Sequence, residues 1–159
     1  MSHRSVRLFI ENTAKSLADN INFTYARTSD FNVIRDKKFP YIVLDPLTAT
    51  PAYSVDGVSN YSKAWTCNMA FYQLDTSGST GEQYAKILDD MDLLVDRFIN
   101  KLNTYSTLSD SVLIESISQQ PFIKATADIL TGYFLTFTLV VADDFEYCDI
   151  DCRIESNDC

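Results

Sequence analysis

The chain has 159 residues, 46% of them apolar, and a net charge of −9. That length suits one domain with one core, and that apolar fraction excludes a disordered chain. The acidic excess excludes binding of nucleic acid by charge neutralisation, which needs a basic footprint.

Charge is unevenly spread. Residues 1–40 carry seven basic and four acidic side chains, net +3, and residues 41–159 are net −12. The last stretch, 143–159, holds seven acids against one Arg. A basic start and an acidic end can attract each other between neighbouring copies. Aromatic residues reach 13%, which favours strands and interfaces. The opening Met1-Ser2-His3-Arg4 has no signal-peptide pattern. No segment approaches the ~20 apolar residues of a membrane span.

The first helix is predicted from about Ser5 to Asn20, with Val6, Phe9, Ile10, Thr13, Ala14, Leu17 and Ile21 at helical spacing. Asn22–Thr28 alternates as a strand does, and 29–32 is a turn signal. Pro40 and Pro46 bracket a short second strand at 41–46. Residues 47–62 read as a long hairpin excursion able to reach a partner. The third strand is predicted over Ala64–Asp75, with Trp65, Cys67, Met69 and Phe71 on one face.

A second helix follows over 80–102, opened by a capping box of Thr80 with Gln83 or Ser79 with Glu82. Its apolar stripe runs Tyr84, Ile87, Leu88, Met91, Leu94, Val95, Phe98, Ile99 and Leu102, a width that belongs on a sheet. A turn is expected at Asn103–Asp110, then strands at Val112–Ser118, with an extension to Thr126, and at Tyr133–Ala142. Ile129–Gly132 reads as the turn between them. The expected fold is α+β, a mostly antiparallel sheet packed against two helices in the order α-β-β-β-α-β-β. Residues 1–148 form the domain, and 149–159 an acidic, Cys-containing tail.

No catalytic, cofactor-binding or metal constellation emerges, so an enzyme is not expected. Gly78-Ser-Thr-Gly81 precedes a helix, but the P-loop needs Lys where Glu82 stands. A Ser or Cys nucleophile needs a base, and His3 is the only His, in a segment expected to fray. Asp89, Asp90, Asp92 and Asp96 share one helix, where acids solubilise a face more often than they flank a substrate. Asp143 and Asp144 are the other adjacent acids. Asp149-Ile-Asp151 lacks the glycine and the closing Glu of a calcium loop. Cys148 and Cys152 have CxxxC spacing without a full zinc set. Free thiols are expected for these and Cys159, with a tail disulfide as the alternative, and Cys67 reads as a buried strand residue. Asn22-Phe-Thr24 and Asn60-Tyr-Ser62 match the glycosylation sequon by chance.

The element order resembles the tail-terminator and neck (head-tail joining) ring proteins of long-tailed bacteriophages. The local features that carry the resemblance are Ser29–Asn32 with Asp36–Tyr41, Trp65 opening a strand that ends Phe71–Asp75, and Phe134–Val141 followed by Tyr147 and Cys148. It covers roughly residues 5–148. It implies a virion structural protein, assembled in the host cytoplasm, whose copies close a hexameric or other ring. Its partners would be neighbouring neck, connector or tail-tube proteins, with DNA only as passing cargo and no membrane. An acidic lumen would let that DNA pass without sticking. The Cys-containing tail departs from the family pattern. The alternative is a non-phage adaptor domain working through protein–protein contacts.

Overall fold

The computed structural model describes residues 2–27, 40–52, 62–74, 80–108, 112–123 and 130–142. The described elements are α1 (His3–Lys15), β1 (Asn22–Tyr25), β2 (Tyr41–Leu44), β3 (Thr48–Ala52), β4 (Ser62–Leu74), α2 (Gly81–Leu108), β5 (Val112–Ile123) and β6 (Leu130–Ala142). The strands make one sheet in the order β1-β2-β4-β6-β5, with β3 also on β4. Every pairing is antiparallel except β1 with β2. Two helices on a mostly antiparallel mixed sheet make the fold α+β, as its periodicities predict.

α1 begins where the Ser2 hydroxyl accepts the Ser5 N–H at 3.3 Å. Val6, Phe9, Ile10, Thr13 and Ala14 form its buried stripe. The Thr13 hydroxyl is satisfied by donating to the Phe9 carbonyl at 2.8 Å. The helix stops at Lys15, short of the expected Asn20. Ser16 turns the chain by donating its hydroxyl to the Thr13 carbonyl, and Lys101 of α2 donates to the Ser16 carbonyl at 2.7 Å. A cation on the last carbonyls suits the negative end of a helix. Leu17 and Ile21 still pack on the core from the turn.

β4 and β6 pair along thirteen residues each and form the sheet's centre. Their facing sets are Trp65, Cys67, Met69 and Phe71, and Leu135, Phe137, Leu139 and Val141. α2 lays Met91, Leu94, Val95, Phe98 and Leu102 on that surface. Phe98 meets Phe71 and Phe137 edge to face at 5.5 and 6.0 Å. α2 does not end at Leu102 but continues through Leu108. The segment Asn103–Leu108 has weak helix propensity, and the ring of Tyr105 at 5.3 Å from Phe9 anchors it to the core.

β1 and β2 end earlier than expected, at Tyr25 and Leu44, and two stretches differ in kind from the sequence pattern. The excursion at 47–62 has strand at both ends: β3 pairs Thr48–Ala52 with Ser62–Thr66, and residues 53–61 lie outside the described set. β2 and β3 share one side of β4, stepping across Asp45–Leu47, where the Asp45 N–H holds the Asn68 carbonyl at 2.9 Å. The expected turn at Ile129–Gly132 is instead the start of β6. A Cβ on Gly132 would lie 1.9 Å from the Phe71 carbonyl oxygen, so only glycine admits this strand approach.

Candidate interaction surface

Strand order places β5 at one end of the sheet and β1 at the other. β5 is one twelve-residue strand with a bulge, and it runs on through Gln119–Pro121 to Ile123 as the expected extension does. Ser116 takes a positive φ of 55°, and Ser116 with Ile117 stands opposite Phe137 alone. Along β5 only Val112 is buried. Leu113, Ile117 and Ile123 are about half exposed at 52%, 44% and 52%, and Phe134 of the neighbouring β6 is exposed on the same face as Leu113, with Ile123 on the opposite face. The ring of Phe122 lies 4.4 Å from that of Phe134 and over the strand position of Gly132.

The face of the sheet turned from the helices has a small cluster of its own, Tyr41, Val43, Ala70, Tyr72 and Leu130, with the Tyr41 and Tyr72 rings stacked at 5.5 Å. Burial, and then the neighbouring Tyr41, push the Tyr72 hydroxyl far above its ordinary value. Further along, the face is neutral and polar: Thr66, Asn68, Thr136 and Thr138, with Thr136 donating to Asn68 at 3.0 Å. Among the described strand residues of this face only Glu115 is charged.

Charge is sorted across the helix layer. Gln119 of β5 donates its amide to Asp92. Burial, and then the carboxylates of Asp92 and Asp89, push the Tyr133 hydroxyl up. Asp92 therefore faces the β5 side, and Asp89 lies near enough to act on Tyr133 of β6. Lys101 faces the other way, onto the end of α1. Over β1 the charge is positive: the Arg7 guanidinium sits 5.6 Å from the centre of the Tyr25 ring. Lys15 is paired with Glu11 at 2.6 Å.

His3 is not frayed. It is the first residue of α1, its Nε2 is 3.0 Å from the Tyr25 hydroxyl, and its ring meets those of Tyr25 and Trp65 at 5.8 and 5.7 Å. No Ser or Cys stands among these contacts, so the cluster is a clamp of α1 on the sheet. Cys67 is a buried strand residue, as expected, and burial pushes its thiol to about 12. Thr80 caps α2 through its N–H to Gln83 Oε1 at 2.8 Å, the reciprocal half of the capping box. Gly81 has open space around it, while Gly78 and Ser79 lie outside the described residues. Asp89, Asp90 and Asp96 are exposed on α2. Asn22 and Thr24 lie in β1, whereas Asn60, Asp143, Asp144, Asp149, Asp151, Cys148, Cys152 and Cys159 lie outside the described residues.

Sequence reasoning missed the β5 rim and the sorted charges. Helical spacing alone places Asp89, Asp92 and Asp96 together, but only tertiary contacts say which neighbour they face. No protein-family model matches the chain, and no curated protein matches it in sequence.

Proposed function

We propose that this chain is a structural subunit of a bacteriophage virion, a ring-forming tail-terminator or neck protein that works through contacts between copies. The apolar rim on β5 carries the reading. Leu113, Ile117, Ile123 and Phe134 stand in water on rigid strands, where an interface would bury them. The predicted element order resembles that of tail-terminator and neck proteins, which supports the virion setting, although the structure adds one strand, β3, to that order. Other partners would be neighbouring connector or tail-tube proteins. The test is light scattering across a wide concentration range, with negative-stain imaging. The expected result is a discrete closed ring whose mass is a whole multiple of 18.0 kDa. A strictly monomeric protein at the highest concentrations overturns the reading, and portal and tube genes beside the coding sequence would support it.

A further inference from the structure

We propose that the face of β4, β6 and β5 turned away from the helices stacks on the same face of a second copy, about a twofold axis that lies across the strands. This goes beyond the ring reading and stands without it.

The strand registers set this face out as rows of side chains across the three strands. Val140 and Leu113 share one row, and Thr138 and Glu115 the next. Asn68, Thr136 and Ser118 make the third row, and Phe134 and Gln120 the fourth. The bulge keeps Ser118 and Gln120 on this face with Leu113 and Glu115, because a strand has a period of two and the bulge adds one residue. Every row is open to water at the β5 side, through Leu113, Glu115, Ser118 and Gln120 in turn, and Phe134 and Thr136 are exposed beside them.

Charge favours a second copy as the occupant. The chain carries −9, and Asp89, Asp90 and Asp96 are exposed on α2, so copies that met through that helix would bring like charges together. The four rows hold one charge, Glu115. They are also complementary to themselves. A twofold axis between the second and third rows lays the first row of one copy over the fourth of the other. Val140 then meets the Phe134 ring of the second copy, and Leu113 the stem of its Gln120. Thr138 meets Thr136, and the Ser118 hydroxyl donates to the Glu115 carboxylate. With sheets about 10 Å apart and rows about 7 Å apart, the two Glu115 positions stand about 12 Å from each other, beyond the Debye length at physiological salt. The rows cover roughly 400 Å² of sheet per copy, the scale of a weak contact that forms as concentration rises. Such a contact pairs free subunits, and in a ring it joins two rings back to back.

The test uses two variants of the full chain on this face, Thr136→Lys and Thr138→Glu. Light scattering against concentration reads pairing as a doubling of mass. Each variant alone places an unpaired charge in the contact and should need at least about tenfold more protein to pair than the wild type. An equimolar mixture should recover pairing, because the new lysine of one copy then meets the new glutamate of the other. Variants that pair like the wild type, or a mixture that stays apart, overturn the stacking and leave the ring reading standing. A wild type whose mass never doubles overturns the stacking whether or not it forms a ring. A wild type that pairs without forming a ring supports the stacking and overturns the ring reading. Hydroxyl-radical footprinting of the wild type gives an independent readout should a variant misfold. Leu113 and Phe134 should gain protection on pairing while Leu93, exposed on α2, keeps its reactivity. Unchanged reactivity at Leu113 and Phe134 refutes the contact.

Discussion

Gly132→Ala tests the packing at the centre of the sheet. The added methyl would lie 1.9 Å from the Phe71 carbonyl oxygen, 2.7 Å from Tyr72 Cα and 2.9 Å from the Phe71 carbonyl carbon. All three are backbone atoms of β4, so no rotamer change relieves the clash. Ordinary contact requires the strands to part by more than about 1 Å, which breaks local ladder bonds and opens the packing between β4 and β6. Two lost hydrogen bonds and the disturbed core together amount to about 4 kcal/mol. For a domain of this size that lowers Tm by roughly 8–16 °C. Urea unfolding followed by fluorescence of Trp65, the single Trp and a core residue, measures the loss directly. A loss below about 1 kcal/mol would refute the reasoning, since β4 and β6 would then part easily. Gly81→Ala is the matched control. Nothing lies within 4 Å of its added methyl at the start of α2, so stability should rise by about 0.5–1 kcal/mol.

Thr131 is fully buried with no partner for its hydroxyl among the described residues, so Thr131→Val should stabilise by about 1 kcal/mol in the same urea assay. A destabilised variant would mean the hydroxyl is satisfied. Tyr25→Phe removes the hydroxyl that accepts the Leu47 N–H at 3.2 Å and contacts His3, for an expected loss of about 1–2 kcal/mol. An unchanged urea midpoint would show that water replaces it at no cost. The Cys67 thiol is raised from 9.0 to about 12 by burial, so its folded pKa lies above the unfolded one. Its stabilising share is complete below about pH 9 and is lost as pH climbs toward 12, at up to about 1.4 kcal/mol per pH unit. Stability of Cys67→Ala should fall less steeply than that of the wild type between about pH 8 and 10.5. Equal slopes would count against a buried, protonated thiol.

Much of the fold is legible locally. The alternation of Trp65, Cys67, Met69 and Phe71 and the stripe of α2 from Met91 to Leu102 mark the two surfaces that meet in the core. Local pattern fails where a distant partner overrides it. Asn103–Leu108 reads as a turn until Tyr105 finds Phe9. Leu130–Gly132 reads as a turn until the glycine is needed for strand approach. Thr48–Ala52 has no apolar rhythm and becomes strand only by pairing with β4. The candidate surface was less legible. The exposure of Leu113, Ile117 and Ile123 cannot be read from their strand's pattern, because edge position depends on strand order.

The sequence by itself determined an α+β fold with two helices, a mostly antiparallel sheet and a heavy acidic balance. Periodicity carries that information, because a helix or strand must turn one face to the core. Tertiary structure alone decided that β1 and β5 are the ends of the described sheet, that β1 runs parallel to β2, and that Asp92 of α2 meets β5 while Arg7 of α1 meets β1. Those are facts about neighbours far apart in the chain, and no local spacing encodes them.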